Sequence, residues 1–376
     1  MRIVIDIQPL LHERTGIGHY IYNCVNSLQE IDTKNDYVLH YFNFLKKNPP
    51  IAIINEQFIL KRSSLIPGRL LEKYWKYTIW PGYDFFSGGA DIFHFPNFII
   101  HPVKRAKAFV TIHDLSFKVV PEFTEPRNLR YLSSCIESTL ERADHILTDS
   151  VFIKNQIITE YHYSKEKISV VPLGVAPHFK RITDHTKRAL VKKKYALPDD
   201  IILYVGTVEP RKNLATLFEA FSSLKNNPLF KHTKIIIAGM KGWLLDYIYR
   251  PLMNSGIEDR VIFTGYVPDE EIPVLMSLAK VFVFPSFYEG FGLPPLEAMA
   301  CGVPVISSNS ASLPEILGDN ALFFDPHSPQ QLAEMMVTLY QDMNIYTSFQ
   351  EKGLAHFKRY DWKFTGEKLM RIYETN

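Results

Sequence analysis

Two doubly wound α/β domains are predicted for this chain on three observations. Its 376 residues exceed what one hydrophobic core usually fills. Short runs rich in Val, Ile and Phe alternate with longer segments of helical period, the pattern of a parallel sheet covered by helices on both faces. The pattern then restarts in the second half, after a stretch with the composition of a linker.

Taken in order, the first half offers strands at residues 3–7, 37–44, 91–95, 109–113, 145–148 and 168–171. Between the first two lies a helix over 17–31, with Ile17, Ile21, Cys24, Val25 and Leu28 on one face. The stretch 172–194 holds Gly174, Pro177 and the basic run Lys192, Lys193 and Lys194, so the first domain is expected to span 1–179 and the second 180–358. Second-half strands are expected at 201–205, 234–238, 261–264, 281–284, 304–307 and 321–324. Helical patterns around 345–357 and 363–373 follow, and the tail 359–376 is expected to bridge back to the first domain.

Composition narrows the function classes. Lys and Arg number 42 against 40 acidic residues, so no global field gathers nucleic acid and any anion site is local. Cys24, Cys135 and Cys301 are widely separated with no CxxC pair, which argues against a disulfide framework or a zinc site and suits a reducing, cytoplasmic compartment. The opening run 2–7 has no charged leader or cleavage pattern, so no secretion signal is expected. No apolar stretch approaches the roughly 20 residues that span a bilayer. The segment 58–86 mixes apolar residues with Lys61, Arg62, Arg69, Lys73 and Lys76, which leaves peripheral membrane contact open. Within it, Tyr74, Trp75, Tyr77 and Trp80 read first as core or long-loop packing.

The most informative segment is 289–297, EGFGLPPLE, which follows strand 281–284 and leads into a helix over 296–300. Gly290 and Gly292 permit close backbone approach by a ligand, and Pro294 and Pro295 suit a first helical turn, where no amide partner is lost. The amides and dipole at such a helix start favour an anion. Either glutamate alone would read as a solvated charge. Their combination with the glycines and prolines reads as a ligand site. A second turn, 206–213 or GTVEPRKN, links strand 201–205 to a helix over 214–224. Arg211 and Lys212 there are adjacent cations that can grip phosphate oxygens, or a solvated basic turn with Asn213 as the helix cap. Asp269, Glu270 and Glu271 precede a helix over 272–278 and read as favourable charges at its positive end.

These segments resemble the family 4 retaining glycosyltransferases of the GT-B fold, nearly end to end. The marks are the EX7E motif from Glu289 to Glu297, the EPRKN run from Glu209 to Asn213, the TGIG turn from Thr15 to Gly18, the pair His113 and Asp114, and PLGV from Pro172 to Val175. Within the family the chain looks closest to bacterial O-antigen mannosyltransferases that use GDP-mannose. The resemblance implies that Arg211 and Lys212 bind the donor diphosphate, Glu289 holds hydroxyls of the donor sugar and Glu297 holds the ribose. It further implies that the amides of Phe291, Gly292 and Leu293 cover sugar and phosphates, and that Tyr266 and Val267, after Gly265, pack the base. Gly206 sits in the phosphate turn. A tight turn suffices to explain Gly16 and Gly18, but for Gly16 the favoured reading is a loop that closes over the diphosphate or the acceptor. His113, at a strand's carboxyl end, would touch the transferred sugar, against the plainer reading of a histidine satisfied by Asp114 or the backbone.

With no DxD triplet and a cationic pair at the diphosphate, no metal and no further cofactor is expected to be required. The donor nucleotide sugar is a substrate, and the partners are that donor and a glycan or lipid-linked glycan acceptor, with contact at the inner membrane and with other glycan-assembly enzymes left open. Rhamnosyl or glucosyl transfer, a nucleotide-sugar epimerase and a non-catalytic sugar-nucleotide-binding subunit are the alternatives.

Overall fold

The computed structural model describes residues 1–11, 16–44 and 49–376; Thr15 of the TGIG turn lies outside the described residues. The chain forms two compact units. The first comprises Met1–Leu115, Arg127–Gly174 and Asp361–Asn376, and the second comprises Ser116–Pro126 and Val175–Tyr360.

The first unit is built on a parallel sheet of strands β1 (Arg2–Asp6), β2 (Asp36–Phe42), β3 (Phe58–Ser63), β4 (Ile92–Phe95), β5 (Lys107–Ile112), β6 (His145–Thr148) and β7 (Ile168–Val170). Their order is β3-β2-β1-β4-β5-β6-β7. Ile3, Val4, Phe93, Phe109, Val110 and Ile146 are fully or almost fully buried, as strands covered on both faces require. β3 is absent from the expected strands. Among the described residues it is the sheet's edge and pairs only with β2, and its FILKRS run leaves Ile59, Leu60 and Arg62 exposed, so it lacks the continuous apolar signal of the inner strands.

The helix Gly16–Ile31 buries Tyr20, Ile21, Cys24, Val25 and Leu28, while Ile17 is only half-buried. The C-terminal helix Trp362–Thr375 packs on it. Ser27 Oγ donates to the Trp362 carbonyl at 2.7 Å, and a Cβ on Gly366 would lie 2.3 Å from that same oxygen. Gly174 serves the same approach, since a Cβ there would meet the Trp362 nitrogen at 2.2 Å. Farther along, Tyr373 Oη meets buried His94 at 2.6 Å, and His94 reaches Thr111 at 2.8 Å.

The second unit carries β8 (Ile201–Val205), β9 (Lys234–Ala238), β10 (Val261–Gly265), β11 (Val281–Phe284), β12 (Val305–Ser308) and β13 (Leu322–Phe324), in the order β10-β9-β8-β11-β12-β13. Ser116–Pro126 belongs here although β5 precedes it. Trp243 Nε1 donates to the Phe123 carbonyl at 2.7 Å and Phe123 stacks on Phe287 at 5.3 Å. Strand order reverses between β1 and β4 in one sheet and between β8 and β11 in the other. Open α/β sheets take ligands beyond the carboxyl ends of strands at such a reversal.

Candidate functional site

In the second unit, β8 and β11 deliver two loops to the reversal point. Past β8 the chain passes Gly206, whose φ is +153°, and reaches the short turn Pro210–Lys212. Gly239, after β9, comes so near that a Cβ on it would lie 1.9 Å from the Gly206 carbonyl oxygen, so this corner tolerates only glycine. Asn213 then takes a left-handed backbone and precedes the helix Leu214–Leu224, but its side chain caps no amide. Its Nδ2 instead donates to the carbonyls of Pro285 at 3.0 Å and Pro326 at 2.9 Å, which ties the loop after β8 to the loop after β11. In the alternative of a solvated basic turn Asn213 would cap the helix; it does occupy the N-cap position, but its side chain reaches the neighbouring loop instead of a helix amide.

Tying the two loops brings four charges together. Arg211 Nη1 donates to the Tyr288 carbonyl at 2.7 Å and to Glu289 at 3.1 Å, and Nη2 donates to Glu209 at 2.7 Å. Lys212 Nζ meets the other Glu289 oxygen at 2.6 Å. Glu209 and Glu289 are buried. Burial pushes the Glu289 carboxyl up, but Lys212 and Arg211 more than reverse this and hold it at about 2. Glu209, two residues before the arginine in the EPRKN run, is its second anchor, a role that the sequence alone does not signal.

Glycine-rich residues follow. Gly292, with φ +97°, is the N-cap of the helix Leu293–Ala300, which begins three residues earlier than expected, and a Cβ there would lie 2.5 Å from Leu313. Pro294 and Pro295 have no N–H, so the amides left at this helix start are those of Gly292 and Leu293. Phe291 is buried edge-on to Tyr360, and its carbonyl accepts from Ser312 Oγ at 3.1 Å.

Glu297 lies one motif length on and behaves oppositely to Glu289. It is half-buried, and among the described residues no cation offsets its burial. Burial, assisted by Asp269, raises its carboxyl to about 8, so near pH 7 it is mainly a neutral acid able both to donate and to accept. Of the base-site candidates after β10, Tyr266 is exposed and Val267 buried. Glu271 does not cap the helix Ile272–Leu278; its carboxylate takes Lys194 at 2.7 Å and the Tyr195 hydroxyl at 2.6 Å.

In the first unit, His113 follows β5. Its Nδ1 meets Asp149 at 2.7 Å and its Nε2 meets the Pro96 carbonyl at 3.1 Å. The Pro96 carbonyl can only accept, so Nε2 carries a hydrogen, while Nδ1 and the buried Asp149 carboxyl share a proton between them. Burial opposes the charge, but Asp149 and the carbonyl prevail and raise the His113 pKa. Tyr20 packs edge-on against the ring at 4.7 Å. The partner is Asp149, at the end of β6, rather than Asp114; its strand-end position was the available sequence signal. Gly16 opens its helix, exposed.

A cavity of about 370 Å³ sits at this unit's own reversal point. It is lined by Asp6 at the end of β1, Gln8 just after it, Asn97 after β4, and Glu72, His101 and Tyr131. Burial raises Asp6 to about 7 against the Gln8 amide it accepts, and burial also raises Glu72 and lowers His101 to about 3. None of these residues was singled out from sequence. Among the described residues no group of three or more His, Cys, Asp or Glu side chains is gathered as a metal site, and no helix is long and apolar enough to cross a membrane.

Comparison with known proteins agrees with this architecture. A profile described as Glycosyltransferase Family 4 matches residues 16–179, and one described as Glycosyl transferases group 1 matches residues 187–356. The O-antigen chain mannosyltransferase B of Escherichia coli is 31% identical over 393 aligned residues covering 100% of both chains. Among solved structures, sucrose-phosphate synthase from Thermosynechococcus elongatus matches with a TM-score of 0.76 at 19% identity, over 99% of this chain and 98% of that one. Anabaena HepE, solved with UDP and glucose, matches with a TM-score of 0.73 at 17% identity over 100% of each chain. At such identities these structures speak to the fold, which is the two-domain GT-B architecture.

Proposed function

The chain belongs to the family 4 glycosyltransferases, enzymes of the hexosyltransferase class, and from that premise we propose that it transfers mannose from GDP-mannose, with retention, to a glycan acceptor in O-antigen synthesis. The observation that carries the reading is the Arg211–Lys212–Glu289 cluster at the β8/β11 reversal, beside the helix start at Gly292. The mannose and O-antigen assignment draws its support from the full-length Escherichia coli relative.

In this reading Arg211, Lys212 and the Gly292 and Leu293 amides face the diphosphate, where negative charge grows as the anomeric C–O bond breaks. Glu289 orients sugar hydroxyls and Glu297 meets the ribose. Gly206 gives the backbone room beside the phosphates, Phe291 and its amide close over the sugar, Tyr266 and Val267 serve the base, and Gly16 lies in the loop that closes on the donor or acceptor. The acceptor oxygen bonds to the anomeric carbon on the face the phosphate leaves, and the departing phosphate oxygen takes the acceptor's proton. His113 has both nitrogens occupied, so it meets the sugar through its main chain or ring face and positions rather than transfers a proton. The cavity beyond β1 and β4 suits the acceptor, since carboxyl and amide groups on a concave wall recognise hydroxyls. The diphosphate clamp works without a metal ion or other cofactor, and the protein acts in the cytoplasm at the membrane face.

The test is a donor panel of GDP-mannose, UDP-glucose and dTDP-rhamnose with lipid-linked glycan acceptors, with products read by mass, linkage and anomeric configuration. Transfer of mannose with the donor's configuration is expected. Transfer of another sugar, inversion, or turnover of donor without acceptor into an epimer overturns the reading.

A further inference from the structure

Ser116–Pro126 follows β5 in the chain, yet it folds with the second unit, and its seat there is built from loops that carry or brace the charge cluster. The short turn Pro121–Phe123 delivers Phe123 to that seat. The Phe123 carbonyl accepts from Trp243 Nε1 at 2.7 Å, across 120 positions, in the loop after β9. Its ring stacks on Phe287 in the loop after β11, with centroids 5.3 Å apart and planes 15° from parallel. The ring of His327, after β13, also lies 5.1 Å from Phe287.

Both partners of Phe123 are tied to Arg211. The Phe287 amide donates to the Arg211 carbonyl at 2.9 Å, and the carbonyl of the next residue, Tyr288, takes Arg211 Nη1 at 2.7 Å. Main chain and guanidinium of the arginine are thus both held by two adjacent residues. Trp243 follows Gly242, whose amide donates to the Val208 carbonyl at 3.0 Å. A Cβ on Gly242 would lie 2.8 Å from that oxygen and 3.3 Å from the Glu209 Cβ, so glycine lets this loop rest against the arginine's other anchor.

Within 285–289 every residue but Phe287 is buried. Its half-buried ring is the one handle by which a group outside the core can hold this loop, and an aromatic stack supplies geometry as well as area. Packing alone would be served by any apolar contact on the unit. It does not account for the two contacts of Phe123 falling on the two loops that bracket Arg211 and Glu209.

We propose that Phe123 is a positioning residue for the donor clamp: stacked on Phe287 and pinned by Trp243, it fixes the loop after β11 where that loop holds Arg211, and so sets how tightly a diphosphate is gripped. The proposal rests on the reading that Arg211 and Lys212 hold the donor's diphosphate. Phe123 acts through Phe287 and is not itself catalytic. A clamp displaced by about 1 Å loses its grip on the second phosphate while contacts to base and ribose remain, so the effect is confined to ligands carrying two phosphates.

The full chain and its variants Phe123→Ala, Phe123→Tyr and Trp243→Phe are titrated by calorimetry with GDP and GMP, and in parallel with UDP and UMP. Each pair differs only by the second phosphate, so the identity of the base does not enter. Phe123→Ala is expected to weaken binding of the diphosphate about tenfold and to leave that of the monophosphate within about twofold. Phe123→Tyr, which keeps the ring, should restore the wild-type ratio. Trp243→Phe, which removes the N–H that holds Phe123, should shift the ratio the same way by a smaller factor and decides the matter if Phe123→Ala does not fold. Equal weakening of diphosphate and monophosphate in the folded variants, or a ratio unchanged in both Phe123→Ala and Trp243→Phe, would overturn the positioning role and leave the clamp standing. A wild type that binds monophosphate as tightly as diphosphate in both pairs would refute the assignment of Arg211 and Lys212, and this proposal with it.

Discussion

Replacing Glu289 with glutamine removes one charge from the buried cluster while keeping the side chain's shape. In the folded chain the carboxyl is held at about 2 against an ordinary 4.5, because Lys212 and Arg211 outweigh the opposing effect of burial. At about 1.4 kcal/mol per pKa unit, the ionised form is favoured by roughly 3 kcal/mol relative to an unfolded glutamate. That is an upper figure for the loss in Glu289→Gln, since the amide oxygen still accepts from one of the two cations. The sign follows from a folded pKa below the unfolded one. The stabilisation is complete above about pH 5 and disappears as pH falls toward about 2. Urea unfolding of both proteins across this range should therefore show a wild type more stable by about 1–3 kcal/mol at pH 7, with the gap closing in acid. The same variant should lose turnover more than affinity for free nucleotide, because its contacts in the proposed reaction are to the sugar. Equal stability at pH 7 with parallel acid profiles would refute the electrostatic argument. A nucleotide affinity that falls further than it does in Glu297→Gln would refute the assignment of roles.

Arg211→Ala with Lys212→Ala would strip both cations from buried Glu289, a break that costs about 3–5 kcal/mol, so Lys212→Gln is the cleaner probe of the diphosphate clamp. It should weaken nucleotide diphosphate binding by about 10-fold or more in calorimetry without unfolding the chain, and unchanged affinity would remove Lys212 from the clamp. Treatment with chelator should leave transfer intact if the two cations and helix amides balance the phosphate charge; loss of activity restored only by magnesium or manganese would show that they do not. Glu297→Gln should stabilise the protein at pH 8, because a carboxyl raised to about 8 loses stability as pH rises from its unfolded value of 4.5. The stability difference should vanish below about pH 4, while affinity for the nucleotide falls; a variant less stable at pH 8 than wild type would contradict the raised value.

What the sequence disclosed followed the strength of local signals. The inner strands read as apolar runs because both faces are covered, and β8, β9 and β11 match their expected bounds residue for residue. β3 escaped because its three apolar residues run straight into Lys61 and Arg62, too short an apolar run to stand out, and the mixed composition of 58–86 suggested a membrane contact without revealing a strand. The motif residues Arg211, Lys212 and Glu289 were legible as a group, and the structure joins them through hydrogen bonds spanning 77 and 78 positions. Their partners were not. Asp149 pairs with His113 across 36 positions because β5 and β6 are neighbours, and nothing local to either residue encodes that. Asp6 and Glu72 likewise meet at one cavity only because β1 ends at the sheet's reversal point.

One question raised by the cluster is why a phosphate-binding pair should be tied to carboxylates at all. Arg211 and Lys212 face Glu209 and Glu289, so the four side chains sum to no net charge, and long-range attraction for an anion is given up. The return is in order. A free lysine or arginine loses about 2 kcal/mol of rotamer entropy when a ligand fixes it. Here three contacts of the guanidinium and one of the ammonium have already fixed them, with side chains 16% and 12% exposed. Cations held in place before the donor arrives need little reorganisation when charge moves onto the phosphates, and it is this reorganisation, more than net charge, that limits electrostatic stabilisation in water. Glu289 then serves twice in the proposed reaction, as the sugar's hydroxyl partner and as the post that steadies the clamp. Its removal should accordingly lower turnover even with donor at saturation, where a deficit in binding alone would be hidden.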